Sequence, residues 1–104
     1  MNITIIGSTI YIEKMKEHFK VLTTDGNFVR LPVFDDFSLS ALEICEHNRG
    51  LIQWADEIHM FWDGRSMGTW GDFMMAFALG KPVKVIYLNG KTIVDVVKEY
   101  SKGG

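Results

Sequence analysis

The residues that could do chemistry in this sequence lie close together, in "DGRSMGTWGD" (Asp63–Asp72). Ser66, Gly68 and Thr69 are small and stand at the start of an apolar helical pattern. Small residues leave the backbone N–H groups there unshielded, and a helix start carries partial positive charge. An anion such as a phosphate is favoured in that place. Arg65 can add a charge-assisted contact to the same anion. Asp72 comes three residues after Thr69, one turn inside the helix. A carboxylate there can stabilise or trap an electron-poor sugar carbon, because glycosidic chemistry passes through an oxocarbenium-like state. A second small-residue turn, Gly7-Ser8-Thr9, can offer amides in the same way. Each loop also reads as an ordinary tight turn, since neither is GxGxxG or a Walker A loop. Asp72 has a structural use as well: Thr69 can be an N-cap that Asp72 answers in a capping box. Asp63 can meet a sugar hydroxyl or simply form the turn.

These residues are positioned by a regular alternation of elements. "NITIIG" (Asn2–Gly7) is a β-branched run and reads as a buried first strand. Residues from about Thr9 to Lys20 read as a helix, with Ile12, Met15, Lys16 and Phe19 at helical spacing. Asp25-Gly26 marks a turn, and "FVRLPV" (Phe28–Val33) reads as a second strand, with Pro32 near its end or at a sheet edge. "FDDFSLS" reads as a loop. Ser40 with Glu43 predicts a capping box for a helix carrying Leu42, Cys45, Leu51 and Ile52 to about Trp54. "ADEIHMFW" (Ala55–Trp62) reads as a third strand and the segment from about Thr69 to Leu79 as a helix. Gly80 can close that helix in the left-handed conformation, and Pro82 prevents its continuation. "VKVIYL" (Val83–Leu88) is a fourth strand. Asn89-Gly90 is a turn, and Ile93, Val94, Val96, Val97 and Tyr100 make a final amphipathic helix.

Strands that alternate with helices predict an α/β fold: a small, doubly wound, Rossmann/flavodoxin-like parallel sheet of about four to five strands, with helices on both faces. In such sheets ligands sit beyond the carboxyl ends of the strands, near the point where strand order reverses. The loops at Gly7-Ser8-Thr9 and Asp63–Gly68 meet that description.

Composition narrows the choices. The 104 residues fit one domain, and 47% of them are apolar, enough for a core. The formal net charge of −2 argues against a general nucleic-acid binder, which usually shows a basic face. The lone Cys45 excludes a disulfide within the chain and suggests a reduced, cytoplasmic setting, with the thiol as a small buried hydrophobe. The N-terminus lacks the pattern of a signal peptide, and no apolar run approaches the ~18 residues of a membrane span, so no membrane partner is expected. No His, Cys and carboxylate cluster has metal-ligand spacing, and neither a metal nor another cofactor is expected. The helix containing Trp70, Phe73, Met74, Met75, Phe77 and Leu79 has almost no polar face. A helix apolar all round is covered on all sides, either tucked under the loops or against a second subunit; the latter is expected, as a homodimer or higher homo-oligomer.

The stretch "ADEIHMFWDGRSMGTWGDFMMAFALGKPV" resembles the nucleoside 2-deoxyribosyltransferase superfamily, whose signature runs through an apolar strand, a short loop, Gly-Thr-x-x-Glu and Gly-Lys-Pro-Val. "ITIIGSTIY" is similar to the first strand and glycine-serine turn of that superfamily. The resemblance implies a compact doubly wound fold spanning residues 1–104. It also implies a nucleoside or nucleotide ligand, and transfer or hydrolysis at an N-glycosidic bond. The catalytic glutamate position of the family is Asp72 here. Its side chain is one methylene shorter, about 1.5 Å less reach, and misplacement of that order costs about 100-fold in rate. Ser66 matches a serine that helps bind the 5′-phosphate in the 2′-deoxynucleoside 5′-phosphate N-hydrolases, and Ser8 matches their other turn. Tyr11 is the local candidate for the family's carboxylate-positioning tyrosine. The resemblance therefore implies Asp72 and Tyr11 as catalytic residues, with Gly7, Ser8, Asp63, Arg65, Ser66, Gly68 and Thr69 around the substrate. The related SLOG branch supplies an alternative: a non-catalytic pocket that binds a nucleotide-derived signal such as an ADP-ribose-like molecule.

Of the remaining candidates, His59 reads as a hydrogen-bonded core or pocket-edge histidine, and His18 and His47 as helix-surface residues. Trp54, Trp62 and Trp70 bracket the loops; each can stack on a base or pack in the core.

Overall fold

The computed structural model describes residues 1–31, 38–89 and 94–103, with only the backbone of 94–96 and 103. Its elements are β1 (Asn2–Gly7), a 3-10 turn (Thr9–Tyr11), α1 (Ile12–Thr24), β2 (Phe28–Arg30), α2 (Ala41–Trp54), β3 (Glu57–Trp62), α3 (Met67–Ala78), β4 (Val83–Leu88) and α4 (Val94–Gly103). All pairings are parallel, in the order β2-β1-β3-β4. The fold is thus α/β and doubly wound around four strands. The order reverses between β1 and β3, where Gly7 lies opposite Phe61. Pro32, Asp35, Asp36, Gly90 and Ile93, which the sequence reading placed at a strand end, a loop, a turn and a helix, lie outside the described residues.

Alternation along the strands divides the core in two. Ile6, Ile58, Met60 and Trp62 pack with Ile52 of α2, Phe73 and Ala76 of α3 and Val97 of α4. On the opposite face Ile5 and Phe61 pack with Tyr11 and Met15. Trp62 and Phe73 are each 1% exposed, and burying side chains of that size contributes about 2–3 kcal/mol apiece. A bulge between β3 and β4 pairs Met60 with Val85 but Phe61 with Tyr87. Ile86 and Tyr87 consequently both pack on the α1 side.

The helix ends follow from local chemistry. The Ser40 hydroxyl accepts from Glu43 N–H (3.1 Å) and the Glu43 carboxylate accepts from Ser40 N–H (3.0 Å), the expected capping box. Gly80 ends α3 at φ 67°, and Lys81 N–H donates to the Ala76 carbonyl (2.9 Å). Lys81 Nζ also donates to the carbonyls of Gln53 and Ala55, each at 2.9 Å, and so closes the end of α2. Gly-Lys-Pro is therefore a joint between α2, α3 and β4. α1 runs four residues beyond the expected Lys20. In its last turn the Thr23 hydroxyl donates back to the carbonyls of Phe19 and Lys20.

Two expectations are corrected here. Cys45 is exposed; the inward face of α2 carries Asn48, Leu51 and Ile52, and Leu42 is also exposed. His18 is half-buried and bonded to His59, so it is not a simple surface residue.

Candidate functional site

The carboxyl ends of β1 and β3 lie side by side, so the loops that follow them meet. Ser8 N–H donates to the Phe61 carbonyl at 3.0 Å. A Cβ on Gly7 would stand 2.6 Å from that carbonyl oxygen and 2.8 Å from Met15 Sδ. Only glycine lets the two strands and α1 approach this closely. The buried Ser8 hydroxyl donates to Asp63 Oδ1 (3.2 Å), which also accepts from the amides of Arg65 (2.9 Å) and Ser66 (3.0 Å). Burial alone pushes the Asp63 carboxyl up. The amides of Arg65 and Ser66 and the Ser8 hydroxyl outweigh that and hold it below the usual carboxylate range. Asp63 is thus an ionised anchor between the two loops. Gly64, buried at φ 76°, makes the left-handed bend that wraps the chain round this carboxylate.

That wrapping moves the cap of α3. Ser66 is the N-cap, and its hydroxyl accepts from Thr69 N–H (3.3 Å) and from the Thr69 hydroxyl (3.1 Å). Thr69 is buried in the first turn and is not the N-cap, so the Thr69–Asp72 capping box does not form. With its acceptor positions taken by Thr69, the Ser66 hydroxyl has its own proton to donate. The amides of Met67 and Gly68, the first two of α3, have no acceptor among the described residues. Gly68 is exposed and carries no side chain to shield these amides. The Arg65 side chain is exposed beside them.

Asp72 is half-buried on α3, in line with the buried Thr69 and Ala76. Among the described residues nothing hydrogen-bonds to its carboxylate and no cation pairs with it. Burial raises its pKa from 3.8 to about 6. No fully buried side-chain oxygen or nitrogen among the described residues lacks a partner, so the Asp72 carboxylate keeps access to solvent. This is an acid held in a poorly solvated place with a free face, poised to titrate near neutrality.

Tyr11 is buried, and its ring lies 4.8 Å from that of Tyr87. Burial, then Tyr87 and the charge of Asp63, raise the Tyr11 pKa, against an opposing effect of Asn89. It remains a neutral phenol facing Asp63, and no hydrogen bond joins it to Asp72. The structure thus gathers Ser8, Asp63, Ser66 and Thr69 into one network with Tyr11 at its side, while Asp72 joins them only through the α3 backbone. The roles of Gly64, Tyr87 and Asn89 had no signal in the sequence, because each depends on which loops meet.

The tryptophans have assigned partners. Trp62 is core, donates from Nε1 to the Ser66 carbonyl (3.1 Å) and stacks on Trp70, centroids 5.6 Å apart. Trp70 stacks on Phe73 in turn, and Trp54 lies under the Arg30 guanidinium at 4.5 Å. No protein-family model and no curated protein matches this chain. No helix among the described residues is long and apolar enough to cross a membrane.

Proposed function

We propose that this chain binds a (deoxy)nucleoside 5′-monophosphate where the β1 and β3 loops meet, and cleaves or transfers its N-glycosidic bond with Asp72. The observation that carries the reading is the Asp72 carboxylate, raised to about 6 by burial and without a partner among the described residues, one turn inside a helix whose first two amides have no acceptor among those residues. The 5′-phosphate takes the amides of Met67 and Gly68, the Ser66 hydroxyl and Arg65. Asp63 already holds Ser8 and the first loop amides, so it fixes the cradle and reaches a sugar hydroxyl with its second oxygen. The Asp72 carboxylate attacks the anomeric carbon as the bond to the base breaks; the base takes a proton from water. Water, or a second base in a transferase, then opens the glycosyl ester and returns the carboxylate. The test is incubation with the deoxynucleoside monophosphates and assay of free base. We expect release by the wild-type chain and none by Asp72→Ala; equal turnover by the two would defeat the reading.

One observation favours a second reading, a pocket that binds a nucleotide-derived signal such as an ADP-ribose-like molecule without cleaving it. No described residue orients the Asp72 carboxylate, and a catalytic group needs its geometry held. Calorimetry with a nucleotide panel separates the two readings: tight binding with the ligand recovered intact supports the second.

We also propose that two copies associate through α3. Met67, Met74, Phe77 and Leu79 are 79%, 42%, 50% and 42% exposed, a run of apolar surface that a second copy would cover.

A further inference from the structure

A second constellation lies on the other face of the sheet, away from Asp72. Glu57 and His59 are two residues apart on β3, and their side chains meet at 2.6 Å (Oε1 to Nε2). His59 is 4% exposed. Its other nitrogen, Nδ1, lies 2.7 Å from Nε2 of His18 on α1, 41 residues away in the chain. His18 in turn lines a groove of about 350 Å³ between α1 and β3–β4, together with Lys14, Glu17, Phe61, Ile86 and Tyr87. The groove exists because α2, α3 and α4 pack on the opposite face, leaving α1 as the described helix on this one. The β4 bulge then turns both Ile86 and Tyr87 towards it.

The hydrogen-bond chain has a direction. An ionised carboxylate only accepts, so Glu57 draws the proton of His59 to Nε2. His59 Nδ1 is then a lone pair, and His18 must donate to it from Nε2. His18 Nδ1 is left unprotonated, as an acceptor. We propose that this groove is a second ligand site, for a small planar molecule with an acidic O–H or N–H, which His18 Nδ1 accepts. Phe61 and Tyr87 supply aromatic walls, and the volume suits a small ligand. Lys14, whose Nζ lies 5.3 Å from the Tyr87 ring centre, offers a counter-charge for the ligand anion, as does the exposed Lys84 on β4.

The proton balance closes within the chain. The ligand X–H bond breaks and its proton goes to His18 Nδ1. His18 passes its Nε2 proton to His59 Nδ1, so the positive charge comes to rest on His59 beside the Glu57 carboxylate, and the ligand anion remains by Lys14. Burial lowers the pKa of both histidines, for His18 with the added effects of His59 and Lys84. For His59 the hydrogen bond and charge of Glu57 oppose that effect and favour the protonated ring. The charged or titratable groups around it are Glu57 and His59 on β3, Lys84 and Tyr87 on β4, and Lys14 and Glu17 on α1.

The probe is 4-nitrophenol, whose ionisation is read by absorbance. With the wild-type chain we expect saturable binding and ionisation at lower pH than in free solution. His18→Phe, which keeps a ring but has no acceptor, should weaken binding about tenfold. No binding by the wild type, or equal binding by His18→Phe, overturns the proposal. Nitrogen-15 spectra of the histidine-labelled wild-type chain test it without a variant. A protonated Nε2 with unprotonated Nδ1 on His18 is expected, and the opposite tautomer overturns the relay.

Discussion

Replacing Asp72 by Asn removes a charge while keeping the shape, and its effect on stability can be worked from the structure. Burial raises the Asp72 carboxyl from 3.8 to about 6 in the folded chain. A carboxyl whose folded pKa is raised opposes folding once it must ionise, so the penalty is absent below the unfolded value and complete above the folded one. At 1.36 kcal/mol per pH unit, the interval between 3.8 and about 6 amounts to about 3 kcal/mol at pH 8 and about 0.5 kcal/mol at pH 4. Other titrating groups cancel in the comparison of variant with wild type. Urea unfolding at the two pH values should therefore show the Asp72→Asn chain gaining about 2–3 kcal/mol over wild type on going from pH 4 to pH 8. A difference that does not change with pH would mean instead that the carboxylate is solvated or partnered and that burial does not raise it. A residue that costs the fold this much fits the pattern of stability given up at a working site.

Four further outcomes are expected. Base release, where Asp72 attacks as the ionised form, should rise with pH through about 6 and level off above it, as seen in a pH–rate profile. Gly7→Ala should lower the unfolding free energy by about 2–3 kcal/mol, because its Cβ would meet backbone at 2.6 Å. Gly68→Ala should leave melting within a few degrees of wild type while weakening monophosphate binding measured by calorimetry. Phe77→Asp should convert a dimer to a monomer in sedimentation without loss of the folded circular dichroism spectrum.

The elements were largely legible in the sequence because their causes are local. The β-branched runs of β1 and β4, the apolar run of β3, the Ser40–Glu43 capping box and the left-handed Gly80 each depend on residues within a few positions. The start of α3 was not legible. Its cap falls on Ser66 because Asp63, anchored by Ser8 from a loop 55 residues away, takes the amides of Arg65 and Ser66 and sets the chain's approach. Periodicity could not have revealed that Cys45 is on the outer face of α2, since Leu42 and Cys45 share a stripe that the sheet does not cover. The Glu57–His59–His18 chain was hidden for the same reason as Tyr11–Tyr87: one joins α1, the other the 3-10 turn before it, to a strand that follows by dozens of residues. The site residues could be named from type and spacing, but which of them bond to one another is set by strand order.

The decisive measurement is a crystal structure of Asp72→Asn with a bound deoxynucleoside 5′-monophosphate. The phosphate should lie on the amides of Met67 and Gly68 and the Ser66 hydroxyl, with the anomeric carbon about 3–3.5 Å from the residue 72 side chain. A nucleotide bound elsewhere, or one in this cradle with its sugar turned away from residue 72, would contradict the account.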